Sequence, residues 1–239
     1  MKTLVVIPTY NERENIEMIL MRILNLGVPD LHVLVVDDAS PDGTGHFVDS
    51  FSCAHPGVVQ VIHRTEKSGI GSAYLAGFRY GLDHGFEVMC EMDADGSHDP
   101  GTLPSLIEKI SSDSADVAIG SRRVRGGETV GWGPHRHMMS HAAMMFSRFA
   151  LGLHTRDVTS GFRCYRASVV RQFLQRDIKS NGYAFQEETV FYCEKLGFRI
   201  QEVPIVFKDR TKGNSKLSWK DIFEFFSTIQ RLRKSDWQK

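Results

Sequence analysis

Long apolar runs are missing from this sequence. Its 239 residues contain no uninterrupted apolar stretch of about 18, the length a membrane-spanning helix needs. Any work at a bilayer is therefore expected from the protein surface. Met1 leads straight into a strand-like run, so no secretory leader is expected. Net charge is missing as well: 29 basic residues balance 29 acidic ones, which gives no electrostatic ground for nucleic acid binding. The ten histidines include no His-Glu-x-x-His or other zinc spacing. Cys53, Cys90, Cys164 and Cys193 are scattered without metal-type pairing, and two of them lie in apolar runs. They read as buried thiols of a reducing, cytoplasmic compartment. Neither a Gly-x-Gly-x-x-Gly fingerprint nor a P-loop Lys-Ser/Thr pair occurs, which weakens a dehydrogenase or P-loop reading. Internal repeats and low-complexity linkers are absent too.

What is present is apolar material for a sizeable core, 41% of residues against 24% charged. Short apolar runs at 3–7, 31–36, 58–62, 86–92 and 117–119 predict strands. Helical patterns at 11–25, 42–52, 68–84 and from Asp99 onward separate them. In the first, Ile16, Ile19, Leu20, Ile23 and Leu24 share one face. In the last, Asp99 is the expected N-cap, Pro100 the first helical residue, and Leu103, Leu106, Ile107 and Ile110 the apolar stripe. This alternation predicts an α/β fold, a Rossmann-like, mostly parallel sheet with helices on both faces. The second half is less regular: a glycine-rich loop at 126–134, a helix at 136–153, a polar turn at 157–163, a helix at 186–196 and a strand at 200–207. A basic loop follows at 209–216, then a last helix opened by Ser218 with Asp221 as its capping-box partner. One domain over 1–239 is expected, with halves at 1–122 and 123–239.

Ligands of such sheets bind beyond the carboxyl ends of the strands. Three polar clusters fall there: Pro8 to Glu12, Asp37 to Asp42, and Asp93 to His98. Asp93 and Asp95, two residues apart at a strand end, can both reach one hard divalent cation of the kind that neutralises a diphosphate leaving group. The alternative is a solvated acidic turn. Asp37 and Asp38 can accept hydrogen bonds from a nucleobase or ribose, or cap the next turn with Asp42. Gly69 and Gly71 suggest close strand–helix packing more than a phosphate cradle. Arg122, Arg136, Arg210 and Lys216 suit diphosphates and phosphomonoesters, although each alone reads as a surface charge. His98 is more often a local hydrogen-bonding group than a metal ligand.

Ile7-Pro8-Thr9-Tyr10-Asn11-Glu12, Val36-Asp37-Asp38-Ala39-Ser40-Pro41-Asp42-Gly43 and Met92-Asp93-Ala94-Asp95 together resemble the nucleotide-binding half of GT-A, family-two glycosyltransferases. Gly120-Ser121-Arg122, Ser160-Gly161-Phe162, Gly182-Tyr183, Phe185-Gln186, Glu202-Val203-Pro204-Ile205, Asp209-Arg210 and Ser215-Lys216-Leu217 are similar to the polyprenol-phosphate-mannose synthases. The resemblance implies that Pro8, Tyr10, Glu12, Val36 and Asp38 hold guanosine, and that Asp93, Ala94 and Asp95 hold the sugar diphosphate and a Mg²⁺ or Mn²⁺ ion. It implies that Arg122, Arg210 and Lys216 contact phosphates; Arg136 joins them as a substrate-binding candidate. Asp93, Asp95 and Arg122 are the catalytic candidates. Ser97 stands where many members carry glutamine, Gly96 replaces a usual leucine, and Arg123 replaces a frequent tyrosine.

The expected activity is inverting transfer of mannose from GDP-mannose to a polyprenyl phosphate on the cytoplasmic face of a membrane. Alternatives are another donor such as UDP-glucose, a non-lipid acceptor, or a non-catalytic nucleotide-sugar-binding subunit. Two segments are candidates for the membrane surface, with or without an anchoring partner subunit. One is 138–153, rich in Met and Phe. The other is the last helix with Ile222, Phe223, Phe225, Phe226, Ile229, Leu232 and Trp237, ending in Arg231, Arg233, Lys234 and Lys239.

Overall fold

A computed structural model describes residues 1–176, 178–182, 184–209 and 219–235. The amino half alternates strand and helix: β1 (Thr3–Thr9), α1 (Arg13–Leu24), β2 (Leu31–Asp37), α2 (Thr44–Ala54), β3 (Val59–His63), α3 (Ile70–Asp83) and β4 (Val88–Glu91). A single 3₁₀ turn, Pro100–Thr102, leads into α4 (Leu103–Ser111) and β5 (Val117–Ser121). Asp99 caps that turn as expected, accepting the Gly101 N–H at 3.0 Å.

The carboxyl half departs from expectation in three places. The glycine-rich loop holds a short strand, β6 (Glu128–Val130), which precedes α5 (Pro134–Leu151). The polar turn ends in β7 (Arg163–Arg166), followed by α6 (Ala167–Leu174) and α7 (Ala184–Lys195). The run at 200–207 is two strands, β8 (Ile200–Pro204) and β9 (Val206–Lys208), and α8 (Trp219–Lys234) closes the described chain.

Seven strands form one sheet in the order β3-β2-β1-β4-β7-β5-β8. All neighbours are parallel except β7, which runs antiparallel to both β4 and β5. Strand alternation sends Leu4, Val6, Leu34 and Val36 to one face, packed with residues of α3, α5, α6, α7 and α8. Val5, Ile7, Val33 and Val35 go to the other face, packed with α1, α2 and α4. The α1 and α4 stripes are buried as expected, Leu24 only in part. Helix α3 lies close to the sheet because Gly77 and Gly81 have no side chain: a Cβ at Gly77 would meet Val6 Cγ1 at 2.4 Å. Gly69 and Gly71 serve a different contact from the strand packing expected of them. A Cβ at Gly71 would fall 2.5 Å from the Ser180 carbonyl oxygen and 2.8 Å from Phe185. They seat the start of α3 against the segment before α7.

The cysteine reading also needs correction. Cys90 and Cys164 stand opposite each other in the β4–β7 register and are joined as a disulfide. Opposed positions on adjacent antiparallel strands bring side chains close, which sequence spacing does not reveal. Cys193 is buried and free; Cys53 is exposed.

Candidate functional site

The site is built on one edge of the sheet. Strands β1, β2 and β4 end there side by side, with Thr9 opposite Asp37 in register. Because β7 is antiparallel, its first residue lies at the same edge, Arg163 facing Glu91 and Ile119. The chain turns sharply after β1 and β2, placing Asn11 (φ 61°) and Ala39 (φ 54°) in the left-handed region, uncommon for a residue with a Cβ. The two turns are stitched together where the Asn11 N–H donates to Ser40 Oγ at 3.0 Å.

The acids of the second cluster divide by role. Asp37 is buried and accepts Thr9 Oγ1 at 2.8 Å, Ser40 Oγ at 2.6 Å and the Ser40 N–H at 3.0 Å, so it braces the turns. Asp42 precedes the Gly43 N-cap of α2 and accepts the Thr44 N–H and hydroxyl at 3.0 and 2.6 Å and the Arg13 N–H at 3.0 Å. Partial burial opposes these bonds, but together they hold its carboxyl below the usual range. Asp38 is buried beside Arg64, Oδ1 to Nη1 3.0 Å, and accepts the Ser68 N–H at 3.0 Å. Glu12 precedes α1; its Oε2 accepts Asn15 Nδ2 at 2.9 Å. Tyr10 lies under the Lys67 ammonium, 4.1 Å from the ring centre. Pro8 pairs with Val36 in register. Val36 is fully buried, backbone included.

Directly after β4 come Asp93, Ala94 and Asp95. Asp93 Oδ1 accepts Tyr74 Oη at 3.3 Å, and the Asp93 N–H donates to His98 Nδ1 at 3.3 Å. Burial raises the Tyr74 phenol well above its ordinary value, with Asp93 adding to it, so the tyrosine stays a donor. Burial lowers His98 to about 4, so it is neutral near pH 7. With Nδ1 accepting, its proton is assigned to Nε2. The ring stacks on Phe162 with centroids 5.0 Å apart. Asp95 Oδ1 accepts the Ser97 N–H at 3.0 Å, and the Lys208 N–H reaches the Ser97 carbonyl at 3.3 Å, tying β9 to this loop. Ala94 is almost wholly buried.

Beneath the acid pair lies a buried polar layer. Gln186 Nε2 donates to Glu91 Oε2 at 2.9 Å. Burial pushes Glu91 up to about 7 although Arg163 and Gln186 act against the rise. Arg163, fully buried, donates to the carbonyls of Gln186 and Val158 and to Thr189 Oγ1, each at 2.9 Å. Gly161 brings backbone to this layer: a Cβ there would lie 3.5 Å from Gln186 Nε2 and 3.8 Å from both Asp93 Oδ2 and His98 Cε1.

The basic candidates are held by acids. Asp157, fully buried, takes Arg122 in a fork: Nε at 2.8 Å, Nη2 at 2.7 Å and the Arg122 N–H at 2.9 Å. Burial would raise the Asp157 carboxyl, but this fork and Thr159 lower it below its ordinary value. Arg122 Nη2 also donates to Thr159 Oγ1 at 2.6 Å. Neither surface charge nor free fork describes Arg122, therefore; Nη1 is the nitrogen outside these bonds. Arg136 Nη1 meets both oxygens of Asp209 at 2.9 and 3.0 Å, and its guanidinium sits 4.2 Å from the centre of the Trp132 ring. Arg210 and Lys216 lie outside the described residues.

Among the described residues no three His, Cys, Asp or Glu side chains group into a closed metal cage. Tyr74, Gly161, Gln186 and Arg64 were not picked out from the sequence as site residues. Arg64 carries a usable signal, since it follows a strand at the carboxyl edge as the acid clusters do. Tyr74 lies within a helix and carries none.

A family model described as "Glycosyl transferase family 2" matches residues 4–174. The undecaprenyl-phosphate mannosyltransferase of Micrococcus luteus is 50% identical over 231 residues, covering 97% of this chain and 93% of that protein. The polyprenol monophosphomannose synthase of Mycolicibacterium smegmatis is 47% identical over 223 residues, covering 93% of this chain and 83% of that protein. Among solved structures, a mannosyltransferase from Pyrobaculum calidifontis in complex with GDP-Man and Mn²⁺ superposes with a TM-score of 0.65 at 20% identity, over 96% of this chain and 64% of the other. At that identity the likeness speaks for the fold, which is the GT-A arrangement expected from the sequence. With the family model spanning most of the chain and half of all residues shared along nearly the full length of a relative, the chain belongs to glycosyl transferase family 2.

Proposed function

We propose that this chain is a mannosyltransferase that moves mannose from GDP-mannose to a polyprenyl monophosphate. One observation carries the reading: half identity, end to end, with a relative named for that transfer, whose acceptor is an undecaprenyl phosphate. An oxygen of the acceptor phosphate forms a bond to the anomeric carbon as the bond to GDP breaks, which inverts the centre. The nucleophile is already an anion at neutral pH, so no side chain must take a proton. That agrees with a site whose histidine is neutral and braced and whose buried acids lie beneath the acid pair. Catalysis is then positioning plus electrostatic stabilisation of the departing diphosphate.

Roles follow from placement. Asp38 and Tyr10 face the nucleoside, with Glu12, Pro8 and Val36 around it. Asp93 and Asp95 are the pair that would hold Mg²⁺ or Mn²⁺, with the backbone of Ala94 between them. Two carboxylates without a third suit an ion completed by substrate phosphates and water. Once bound, such an ion neutralises charge on the leaving diphosphate. Arg122 directs Nη1 at a phosphate while Asp157 fixes its plane, and Arg136 stands at the mouth beside Trp132. Arg210 and Lys216 complete the phosphate contacts.

The acceptor places the chain at a bilayer, in our reading the cytoplasmic face, with or without an anchoring subunit. No described helix is long and apolar enough to cross a membrane. Helices α5 and α8 instead leave a shared apolar face exposed: Phe149 is 91% exposed, Phe223 77% and Met138 65%. Phe146 of α5 packs on Phe225 and Phe226 of α8. Only part of each helix is available, because Met144, Leu151, Ile229 and Leu232 point into the core. Arg233 and Lys234 remain as the basic end, since Arg231 is paired inward. Trp237 and Lys239 lie outside the described residues.

The test supplies labelled nucleotide sugars with a polyprenyl phosphate and follows label into lipid. Mannose should enter the lipid fraction from GDP-mannose, and chelation should stop it. Preferential transfer from UDP-glucose would replace the donor, and donor binding without turnover would favour a silent subunit.

A further inference from the structure

The two-stranded β6–β9 sheet brings two aromatic rings to the arginines of the site. Thr129 stands opposite Phe207 and Val130 opposite Lys208, and the Asp209 N–H donates to the Val130 carbonyl at 2.9 Å. Gly131 (φ 92°) then turns the chain so closely that a Cβ there would lie 3.1 Å from Asp209 Cβ. Trp132 follows, Gly133 is the N-cap of α5, and Arg136 stands in the first turn of that helix. The Trp132 ring takes two guanidinium groups, Arg136 at 4.2 Å from its centre and Arg122 at 6.0 Å. Phe207 meets the Trp132 ring edge to face at 5.7 Å and has Arg122 5.2 Å from its own centre. Phe207 also meets His98 at 5.6 Å, and the Lys208 N–H holds the Ser97 carbonyl at 3.3 Å, so this ribbon joins the acid loop to both arginines. No hydrogen bond holds the indole: among the described residues its Nε1 is closed to solvent and meets no acceptor. What the site uses is therefore the face of the ring.

We infer that Trp132 is a positioning residue for a phosphomonoester: its ring holds the Arg136 guanidinium beside that of Arg122, so that the two meet one phosphate dianion between the acid loop and the exposed face of α5. Asp209 does not use up Arg136. Both its oxygens share the single nitrogen Nη1, at 2.9 and 3.0 Å, and Nη2 takes no part in the pair. The Arg136 side chain is 39% exposed, within reach of an anion from solvent. A long side chain so exposed loses rotamer freedom when it grips a ligand, and stacking on a flat ring removes part of that freedom beforehand. The ring face also attracts the cation itself, which an aliphatic side chain of similar volume does not. Beyond Arg136, α5 continues into the exposed Met138 and Met139, on the surface assigned to the bilayer, so a phosphate carried by a lipid arrives beside this arginine.

This inference rests on the proposed lipid-phosphate acceptor, and one set of measurements separates the two. Transfer of labelled mannose from GDP-mannose is followed against polyprenyl phosphate concentration, with thermal melts as the fold control. The chains compared are the wild type, Trp132→Phe, Trp132→Leu, Arg136→Ala and the double variant Trp132→Leu with Arg136→Ala. Trp132→Leu should raise the acceptor KM about tenfold and leave the KM for GDP-mannose within about twofold. Trp132→Phe keeps a ring and should hold the acceptor KM within about threefold of the wild type. In the Arg136→Ala background the leucine substitution should add little, because the tryptophan acts through that arginine. If Trp132→Leu does not fold, Trp132→Met, whose flexible chain fills irregular space, replaces it in the same cycle. A KM raised equally for donor and acceptor, losses that multiply in the double variant, or a phenylalanine variant as damaged as the leucine one would overturn the assignment. A wild type that moves no label to polyprenyl phosphate would instead sink the acceptor reading. Trp132 would then be judged on the binding of inorganic phosphate in the presence of GDP and Mg²⁺. There a weakening of about tenfold in Trp132→Leu would support it, and unaltered affinity would overturn it.

Discussion

Arg231→Ala is expected to unseat the last helix. Glu188 of α7 is fully buried, and its oxygens accept Arg231 Nη1 at 2.7 Å and Nη2 at 2.9 Å. The Ser180 N–H at 3.0 Å and the Tyr192 hydroxyl at 3.4 Å are its other donors. Truncating the arginine leaves a carboxylate inside the protein with neutral partners only. Removing one member of a buried pair costs about 3–5 kcal/mol. The Arg231 side chain is 31% exposed, so water screens the pair and the lower end, about 3 kcal/mol, is expected. At about 2–4 °C per kcal/mol for a chain of this size, the melting temperature should fall by roughly 6–12 °C. Circular dichroism melts and urea titration read this directly. Replacing both residues, Glu188→Leu with Arg231→Met, removes the orphaned charge and should recover most of the loss, to within about 1 kcal/mol. If Arg231→Ala melts within about 2 °C of the parent, the pair contributes no more than a surface contact and the reasoning fails.

Three further outcomes are expected. Asp95→Asn should lower turnover by about 100-fold or more with little change in melting temperature, because a loop carboxylate adds little to the core; full activity in this variant, or in EDTA, would remove the metal assignment. Glu91 and Glu187 have carboxyls raised by burial to about 7, so they favour the folded state while protonated and lose that advantage as pH rises from about 4.5 through 7. Stability should therefore decline over that window, and Glu187→Gln should flatten the decline in urea titrations at several pH values; an unchanged slope counts against Glu187 as a source. Phe223→Glu with Phe226→Glu should abolish flotation with anionic liposomes while the melt is retained, and equal flotation would move the contact away from α8.

The amino half was legible because each strand is a short apolar run and each helix carries a clean stripe. The acid clusters stood out because they follow those runs, which is where such sheets bind ligands. What stayed hidden depends on topology. Strand β7 reads Arg-Cys-Tyr-Arg, too short and too charged to stand out as a strand; only its placement between two buried strands, with Arg163 facing Glu91, explains charge inside a sheet. The partnership of Arg122 with Asp157 joins residues 35 apart. Neither spacing nor composition distinguishes a clamped arginine from a solvated one. Nor does the sequence show that Asp37 braces the two turns through Thr9 and Ser40 while Asp38 lies against Arg64 and Ser68.

The antiparallel seventh strand also bears on how the protein comes off the ribosome. Strands β4 and β5 are never hydrogen-bonded to each other; β7, which is made after both, lies between them. A nascent chain that has reached Ser121 holds every parallel strand of the nucleotide side, yet β4 has one bare edge and β5 has two. Closure waits for residues 163–166, a few seconds later at about 5–20 residues per second, and β8 follows. Through that interval the unpaired edges of two apolar strands are open to wrong partners. A truncated chain ending near residue 122 should consequently aggregate rather than yield a soluble nucleotide-binding fragment, and extension past 166 should be the point at which protease resistance begins.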